Sequence, residues 1–429
     1  MKKFKLGIIG LGTVGSGVVE CLQKNGPLFS SRYGFEYDVV KVAVRNLDSR
    51  RLVEIDKSLM TTSPEEVVDH ADVDIVLELM GGEEPARTLV LKALNNGKVV
   101  VTANKALIAE YGPEIFAAAE ASNTRIFFEA SVAGGIPIIK ALHEGLSSND
   151  IESIHGILNG TCNFILSCME NGESFVDALA EAQRLGYAEA DPTLDVGGGD
   201  AGHKAAILAS LAYGQWFTKD AVSVKGIDKL ELTDVEFARD AGYRIKLIAN
   251  ILKTADEKVS IDVQPTLVPQ QSMIGSVMDA YNGIKIHGNT VGDTFFYGQG
   301  AGKDATSSSV VTDIIDASQA IVSGTVSNYP GFKPFDGALG AADLSSVVSR
   351  FYLRVVVEDS PKVLASITGI LGDHNVSIAS ITQKESHEKT VPVVILTHEV
   401  LTEKLDEAVK AIGGLPVVKS APHIFRLED

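Results

Sequence analysis

The segment from residue 186 to 204 combines glycines and carboxylates and ends in a lysine, residue types that can bind charged groups or transfer protons. Its acidic residues are Glu189, Asp191, Asp195 and Asp200. Asp200 and Lys204 are four residues apart at the start of an apolar helix pattern, so their side chains share one helix face. A simpler interpretation makes Asp200 a helix cap and Lys204 its exposed ion-pair partner, a contact worth a few tenths of a kcal/mol. Spacing alone leaves both interpretations open.

Residues 10–15 form a second candidate site, because they read GLGTVG and match the pattern G-x-G-x-x-G. They lie between an apolar run and a helical pattern at the N-terminus. In such a loop Gly10 makes the tight turn, Gly12 lets the backbone approach a pyrophosphate, and Gly15 permits close packing of helix and strand. The pattern therefore predicts a dinucleotide-binding loop and not an incidental turn.

The ribose of a bound dinucleotide is expected at the end of the second strand, where the chain continues with Arg45 and Asn46. The first acidic residue after this strand is Asp48. An arginine suits a ribose 2′-phosphate, so the sequence favours NADP over NAD. The alternative is that Arg45 is only a solvated cation at the strand end.

Three further polar residues are candidates for chemistry. Lys105 follows an apolar strand, and the carboxyl ends of parallel strands face the ligand crevice, although a surface lysine is also common there. His203 points about 100° away from Lys204 around the helix, and it has no second histidine or cysteine at ligand spacing. Cys162 is a possible nucleophile, but its apolar neighbours favour simple packing.

The first 130 residues predict an α/β nucleotide domain with a doubly wound parallel sheet. Short apolar runs without alternation indicate strands that are buried on both faces, and helical patterns separate them. The predicted strands are 6–10, 39–44, 73–79, 99–102 and 125–128, and the predicted helices are 13–23, 86–95 and 113–121.

Residues 131–345 predict a mixed α+β substrate and dimerisation domain, and its C-terminal part returns to the nucleotide domain through the glycines at 298–302. Its predicted helices are 175–185, 203–213 and 234–250, and its predicted strands are 153–158 and 259–265. A linker is expected at 331–343, where glycine and proline are frequent. Residues 350–429 predict a separate ferredoxin-like domain in the order βαββαβ.

Length and composition restrict the classes of function. The 429 residues suggest about three domains, and a hydrophobic fraction of 45% excludes wholesale disorder. The net charge of −18 disfavours nucleic acid and membrane surfaces, although local backbone dipoles can still hold an anionic cofactor. Three cysteines and no predicted signal peptide or bilayer-spanning run indicate a cytoplasmic protein.

Five segments in this order resemble homoserine dehydrogenase, here in a monofunctional form. They are GLGTVG at 10–15, VTANKALIA at 101–109, FEASVAGGIPII at 128–139, GILNGTCNFIL at 156–166 and LGYAEADPTLDVGGGDAGHK at 185–204. The resemblance covers the first 345 residues and implies a Rossmann-type nucleotide domain. It also implies NAD(P)-dependent interconversion of L-homoserine and L-aspartate 4-semialdehyde, in threonine, methionine and isoleucine biosynthesis.

The resemblance also implies roles for individual residues. Glu189 and Asp200 would hold the substrate ammonium group, with Asp195 and Thr161 in the same site, and the catalytic residues Lys204 and Lys105 would flank the reacting oxygen. The nucleotide would contact Gly10, Gly12, Thr13, Val14, Gly15, Arg45, Thr102, Lys105, Gly186 and Gly300. A monovalent cation such as Na⁺ would bind backbone carbonyls of Glu129, Val132, Gly134 and Ile136.

Physical chemistry agrees with the implied roles. Hydride addition to an aldehyde develops alkoxide charge, which a lysine ammonium can stabilise and then protonate. A zwitterionic substrate needs carboxylates for its ammonium group, and this explains Asp200 better than a cap does. Two alternatives are a phosphorylating aspartate-semialdehyde dehydrogenase with Cys162 as the nucleophile and a non-catalytic amino-acid sensor.

The C-terminal unit resembles the ACT domain, a small-molecule-sensing module that often pairs in dimers. The matching residues are 357–367 and 375–378. Lys362 stands where the family approaches its effector through a glycine, so the domain is expected either to sense L-threonine weakly or to serve only dimerisation. The resemblance implies a homodimer or homotetramer.

Overall fold

The computed structural model describes residues 1–326, 331–337, 339–384 and 389–428. Their contacts divide the chain into two compact units. Unit 1 comprises Met1–Ile151, His203–Ala221 and His287–Leu339, and unit 2 comprises Glu152–Gly202, Val222–Ile286 and Gly340–Asp429. The three domains expected along the sequence stay a prediction.

The described strands are β1 Lys2–Ile9, β2 Phe35–Ala43, β3 Met60–Thr61, β4 Ile75–Glu78, β5 Val99–Thr102, β6 Ile126–Phe127, β7 Ile151–Ile157, β8 Ser223–Val224, β9 Tyr243–Lys253, β10 Val259–Pro269, β11 Tyr281–Gly288, β12 Gly292–Gln299, β13 Val348–Glu358, β14 Ile378–Gln383, β15 Thr390–Thr397, β16 Val400–Leu401 and β17 His423–Leu427. The described α-helices are α1 Thr13–Tyr33, α2 Glu65–Val68, α3 Ala86–Asn95, α4 Lys105–Ala121, α5 Ile138–Lys140, α6 Gly160–Glu170, α7 Phe175–Arg184, α8 Thr193–Val196, α9 Gly199–Tyr213, α10 Leu232–Asp240, α11 Lys303–Ser323, α12 Val363–Asp373 and α13 Thr402–Gly413.

Unit 1 contains a parallel sheet in the order β3-β2-β1-β4-β5-β6. Chain order reverses between β1 and β4, and such a switch point is where open α/β sheets bind their ligands. β4 and β5 are buried throughout, as expected for strands covered on both faces. The predicted doubly wound nucleotide fold is confirmed.

Helices α1 and α11 pack together in unit 1 and share its core with the sheet. α1 continues ten residues beyond its predicted end at 23, with Pro27 inside it. α4 begins at Lys105 and contains Pro113, which the prediction had placed at its start. The local signals marked these helices correctly but misplaced their ends.

The mixed sheet of unit 2 has the order β11-β7-β9-β10-β17-β13-β15-β14. β9 and β10 pair antiparallel along their whole length, and β10 is almost entirely buried. The predicted helix 234–250 is wrong, because α10 ends at Asp240, Gly242 adopts a positive φ of 88°, and β9 follows. Hydrophobic periodicity alone cannot separate a short buried helix from a buried strand.

The C-terminal part of unit 2 has the predicted order, β13, α12, β14, β15, α13 and β17, with the short β16 added. The apolar faces of α12 and α13 pack on the strands to form its core. In the described part of the chain no helix is long and apolar enough to cross a membrane.

Candidate active site

The glycine loop between β1 and α1 forms an open cradle at the switch point of the unit 1 sheet. A Cβ on Gly10, where φ is +100°, would lie 2.6 Å from the carbonyl oxygen of Leu79, and one on Gly15 would lie 2.2 Å from that of Gly10. A Cβ on Gly12 would meet no atom within 4 Å. Gly12 is the N-cap of α1 and has no side chain to cap it. The first amide groups of α1 can therefore serve an anionic ligand.

The carboxyl ends of β4 and β5 are joined beside this loop by buried polar groups. Thr102 Oγ1 donates a hydrogen bond of 2.7 Å to Glu78 Oε2, and the amide of Asn104 donates to Thr102 Oγ1. Burial raises the pKa of Glu78, while hydrogen bonds from Thr102 and backbone amides oppose the rise. Asn104 caps α4 by accepting from the Leu107 amide, which places Lys105 at the first residue of that helix.

Arg45 lies two residues beyond β2 and is exposed. A surface cavity of about 750 Å³ follows, lined mainly by residues between 47 and 57. Its lining includes the cations Arg50, Arg51 and Lys57, and the acids Asp48, Glu54 and Asp56. The region after β2 therefore offers several cations for an anionic group.

The loop expected to bind a cation is buried and strongly bent, with φ of 53° at Ala133 and 44° at Gly134. The carbonyl of Gly134 accepts from Ser309 Oγ at 2.6 Å, and that of Ile136 accepts from the Ile138 amide at 2.8 Å. Each carbonyl keeps a second lone pair, and hard oxygen donors of this kind suit an alkali cation.

The carboxylate of Glu129 in this loop accepts from the amides of Ile139 and Lys140, both at 2.9 Å. Burial raises the pKa of Glu129 to about 7, against the lowering effect of these hydrogen bonds. The described residues hold no cluster of three or more His, Cys, Asp or Glu side chains that could bind a metal ion. Any cation in this loop would therefore rely on backbone carbonyls.

In unit 2 the start of α6 brings two of the expected substrate residues together. Asn159 is the N-cap of α6, and its Oδ1 accepts from the amide of Cys162 at 2.7 Å. Its Nδ2 donates to Asp195 Oδ1 at 2.7 Å and to Asp200 Oδ2 at 2.8 Å. Asn159 is 4% exposed and Asp200 5% exposed. Two acidic side chains are thus held at the positive end of a helix.

Two further residues at the start of α6, Thr161 and Cys162, make hydrogen bonds to the segment that follows α7. Thr161 Oγ1 donates to the carbonyl of Tyr187 at 2.7 Å, which ties α6 to the segment containing Gly186 and Glu189. Gly186 has a positive φ of 79°, and both Gly186 and Glu189 are exposed. The Cys162 thiol, at 0% exposure, donates to the carbonyl of Asp195 at 3.2 Å. Cys162 is therefore a buried, packed residue, as its apolar neighbours in the sequence favour.

Helix α9 carries Asp200 in its first turn and Lys204 one turn later. It begins at Gly199, four residues before the predicted start at 203. Lys204 is only 8% exposed, so the alternative of a cap with an exposed ion-pair partner is wrong. The next residues, 205–209, are completely buried. Lys204 is buried because it lies on the same tightly packed helix.

Sequence reasoning missed two residues of these sites. Glu78 is the last residue of the apolar strand β4. An acidic residue at the end of an apolar strand is a signal in the sequence that could have marked it as a site residue. The segment GILNGTCNFIL contains Asn159, but the sequence predicts no role for this residue. An asparagine directly before a helix is a capping signal, yet nothing local indicates that its amide also reaches two carboxylates.

The glycine loop at the switch point of the parallel sheet in unit 1 defines a dinucleotide-binding protein. Family models agree: "Homoserine dehydrogenase, NAD binding domain" matches residues 10–129, "Homoserine dehydrogenase" matches 137–315 and "ACT domain" matches 351–415. The homoserine dehydrogenase of Neisseria gonorrhoeae is 42% identical over 434 residues, covering 100% of this chain and 99% of that protein. The chain belongs to the homoserine dehydrogenase family.

Solved structures give the same result. A homoserine dehydrogenase from Thiobacillus denitrificans has a TM-score of 0.92 and 43% identity, covering 100% of this chain and 99% of that chain. A hyperthermophilic archaeal homoserine dehydrogenase in complex with NADPH has a TM-score of 0.64 and 28% identity, covering 77% of this chain and 100% of that one. The expectations of a homoserine dehydrogenase, of a nicotinamide cofactor and of a C-terminal ACT domain are confirmed.

Proposed function

We propose that this enzyme interconverts L-homoserine and L-aspartate 4-semialdehyde with Lys204 as the group that serves the reacting oxygen. When aldehyde is reduced, the Lys204 ammonium stabilises the developing alkoxide and then donates its proton. In the opposite direction the neutral amine accepts the hydroxyl proton. The burial of Lys204 one turn after Asp200 on α9 is the observation that carries this proposal.

Asp200 and Glu189 bind the ammonium group of the amino-acid substrate, and Asp195 and Thr161 complete the substrate site. Asp195 and Asp200 share the Asn159 amide, so their negative charges are held close together. Two neighbouring carboxylates, of which Asp200 is buried and Asp195 partly exposed, favour a cationic group over water. Glu189 is exposed, and its role rests on the family resemblance.

The dinucleotide is held by the glycine loop, with Gly10, Gly12, Thr13, Val14 and Gly15 around its pyrophosphate. Thr102 and Lys105 follow β5, and Lys105 also faces the reacting oxygen; Gly186 and Gly300 provide further backbone contacts. The nicotinamide, when bound, supplies the hydride chemistry. The open space at Gly12 and the uncapped start of α1 support this assignment.

NADP is the preferred dinucleotide, with Arg45 at its 2′-phosphate. The exposed position of Arg45 after β2 and the cations Arg50, Arg51 and Lys57 nearby in sequence support this preference. The archaeal relative, whose structure contains NADPH, also supports it. Competition between NADP and NAD tests the proposal, because Arg45→Ala should weaken NADP binding and leave NAD binding unchanged.

A monovalent cation such as Na⁺ binds the carbonyls of Glu129, Val132, Gly134 and Ile136. The donor set fits, because these are buried backbone oxygens in a bent loop. The enzyme forms a homodimer or homotetramer in the cytoplasm, and L-threonine is its expected effector. Three free cysteines agree with a reducing compartment.

Homoserine-dependent reduction of NADP, measured for the full chain and for Lys204→Ala, tests the central role. The variant should lose about 100- to 10,000-fold in kcat while its KM for NADP stays the same. Lys258→Ala is a suitable control, because Lys258 is a half-exposed lysine on the β9–β10 hairpin. Near-normal kcat in Lys204→Ala, with nucleotide binding intact, would contradict the proposal.

A further inference from the structure

The side chain of Asn159 makes contacts in two directions. Its Oδ1 accepts from the Cys162 amide at 2.7 Å, while its Nδ2 donates to Asp195 at 2.7 Å and to Asp200 at 2.8 Å. A flipped amide would set a donor against the Cys162 amide and an oxygen against both carboxylates. The partners therefore fix the orientation of this amide.

The chemical nature of Asn159 matters, because Asp195 and Asp200 carry like charges. Two carboxylates that share a site repel each other, and one of them gains a proton unless donors compensate. A lysine or arginine between them would neutralise the site and compete with a cationic substrate. An amide instead supplies two donors and no net charge, so it directs both carboxylates without neutralising the site.

We propose that Asn159 is a positioning residue that holds Asp195 and Asp200 in the geometry required by the substrate ammonium group. This inference rests on the proposed function of Asp195 and Asp200. Asn159 touches no reacting atom; it acts by fixing the side-chain rotamers of the buried Asp200 and the partly exposed Asp195. The Cys162 thiol, which donates to the Asp195 carbonyl, fixes the backbone of the same acid.

Capping and positioning can be separated by substitution. Asn159→Asp keeps the oxygen that caps α6, since aspartate is as good an N-cap as asparagine. It removes both donors and adds a third negative charge beside the two carboxylates. Asn159→Ser also keeps a capping oxygen and adds no charge, but its single hydroxyl can serve at most one carboxylate.

The experiment measures homoserine oxidation by the full-length variants. Asn159→Asp should raise the KM for homoserine about 10- to 100-fold, the equivalent of one or two charge-assisted hydrogen bonds, with the KM for NADP unchanged. Asn159→Ser should raise the homoserine KM by a smaller factor. Ser174→Ala is the matched control, because it removes the side-chain cap of α7 and should lower only the thermal midpoint.

The outcomes separate this proposal from the one on which it rests. An unchanged homoserine KM in Asn159→Asp would overturn the positioning role. If that variant does not fold, an unchanged KM in Asn159→Ser would overturn it equally. Asp200→Asn tests the substrate site itself, which an unchanged homoserine KM in this variant would refute. A raised homoserine KM in Asp200→Asn, together with an unchanged homoserine KM in both Asn159 variants, would refute only the positioning role. A parallel rise in both the homoserine and NADP KM values would indicate a merely structural residue.

Discussion

Two helix starts, that of α1 in unit 1 and that of α6 in unit 2, differ in how they are capped, and we propose ligands of opposite charge for them. α1 begins at Gly12, which has no side chain and faces open space. α6 begins at Asn159, whose side chain caps the helix and binds two carboxylates. The α1 start leaves its amide groups open to the proposed pyrophosphate, whereas the α6 start has two carboxylates beside it.

The difference shows why glycine and asparagine stand at these positions. An anion is recognised directly by the partial positive charge of an uncapped helix. A cation is repelled by that charge, so a helix start can serve an ammonium group only through intervening carboxylates. In α6 the side chain of Asn159 caps the positive helix end and also binds two carboxylates, which make the site negative.

Of the substitutions that test this difference between the two helix starts, we expect that of Gly12 to change ligand binding most. A Cβ at this position would meet no protein atom within 4 Å, so we expect Gly12→Val to fold with an unchanged thermal midpoint. Its side chain would occupy the space of the pyrophosphate, and the KM for NADP should rise about 100-fold, as expected for an overpacked contact. Steady-state kinetics and thermal unfolding of the full chain measure both effects.

Gly26 provides the control for this variant. It lies in the same helix, and a Cβ there also meets no atom within 4 Å. Gly26→Val should leave the NADP KM unchanged. A Gly12→Val enzyme whose NADP KM stays within twofold would show that the backbone of α1 is not the pyrophosphate site.

The second prediction concerns the support behind α6. Lys246, which is 1% exposed, donates to Asn163 Oδ1 at 2.9 Å and to the Val277 carbonyl at 2.6 Å. Asn163 lies in the first turn of α6, and its amide donates to the carbonyls of Asp279 and Tyr281. Burial lowers the pKa of Lys246 to about 8 from its usual 10.5. A buried lysine therefore holds the start of α6, and burial disfavours its charged form.

The lowered pKa of Lys246 predicts a change of stability with pH. Between about pH 8 and 10.5 the unfolded chain binds more protons at Lys246 than the folded chain, so stability rises with pH. The contribution should be about 2 kcal/mol between roughly pH 7.5 and 9.5, where each pKa unit is worth about 1.4 kcal/mol. Urea unfolding of Lys246→Met should lack this rise.

Lys258→Met, at a half-exposed position, should keep the rise and so provides the control. If Lys246→Met and the unchanged chain show parallel stability over this pH range, the lysine does not titrate in the folded state as described.

Much of the fold followed from local patterns. The unalternated runs at β4 and β5 and the glycine loop predicted a doubly wound nucleotide domain, because burial on both faces leaves a simple signature. The strand β9 was mistaken for helix, since its long apolar run lacks the alternation of a half-buried strand. The hairpin strands β11 and β12 were missed because their apolar content is low.

The candidate site was only partly predictable for a different reason. Asp200 and Lys204 were found because their spacing falls within one helix. The two acids bound by Asn159 lie 36 and 41 residues further along the chain, and no local pattern records such contacts. The burial of Lys204 likewise depends on the packing of α9, which spacing does not reveal.

A third helix start, that of α12, extends the comparison to the ACT domain. Its N-cap residue Lys362 has a positive φ of 75°, the conformation that usually favours glycine. A surface cavity of about 400 Å³ adjoins this turn and is lined by Lys362, Ser360 and Gln383 among others. The start of α12 is thus uncapped like that of α1, but a long side chain stands where a ligand would approach.

Lys362→Gly should have the smallest effect on stability and a selective effect on binding. Relief of the left-handed strain, worth about 1–2 kcal/mol, is largely offset by the greater backbone freedom of glycine in the unfolded chain, about 0.5–1 kcal/mol. The unfolding free energy should therefore change by no more than about 1 kcal/mol.

Titration calorimetry with L-threonine should show tighter binding to Lys362→Gly than to the unchanged chain. Lys362→Ala keeps the strain and a Cβ, so its affinity for threonine should increase less. Equal threonine affinity in all three proteins would mean that the turn before α12 is not an effector site.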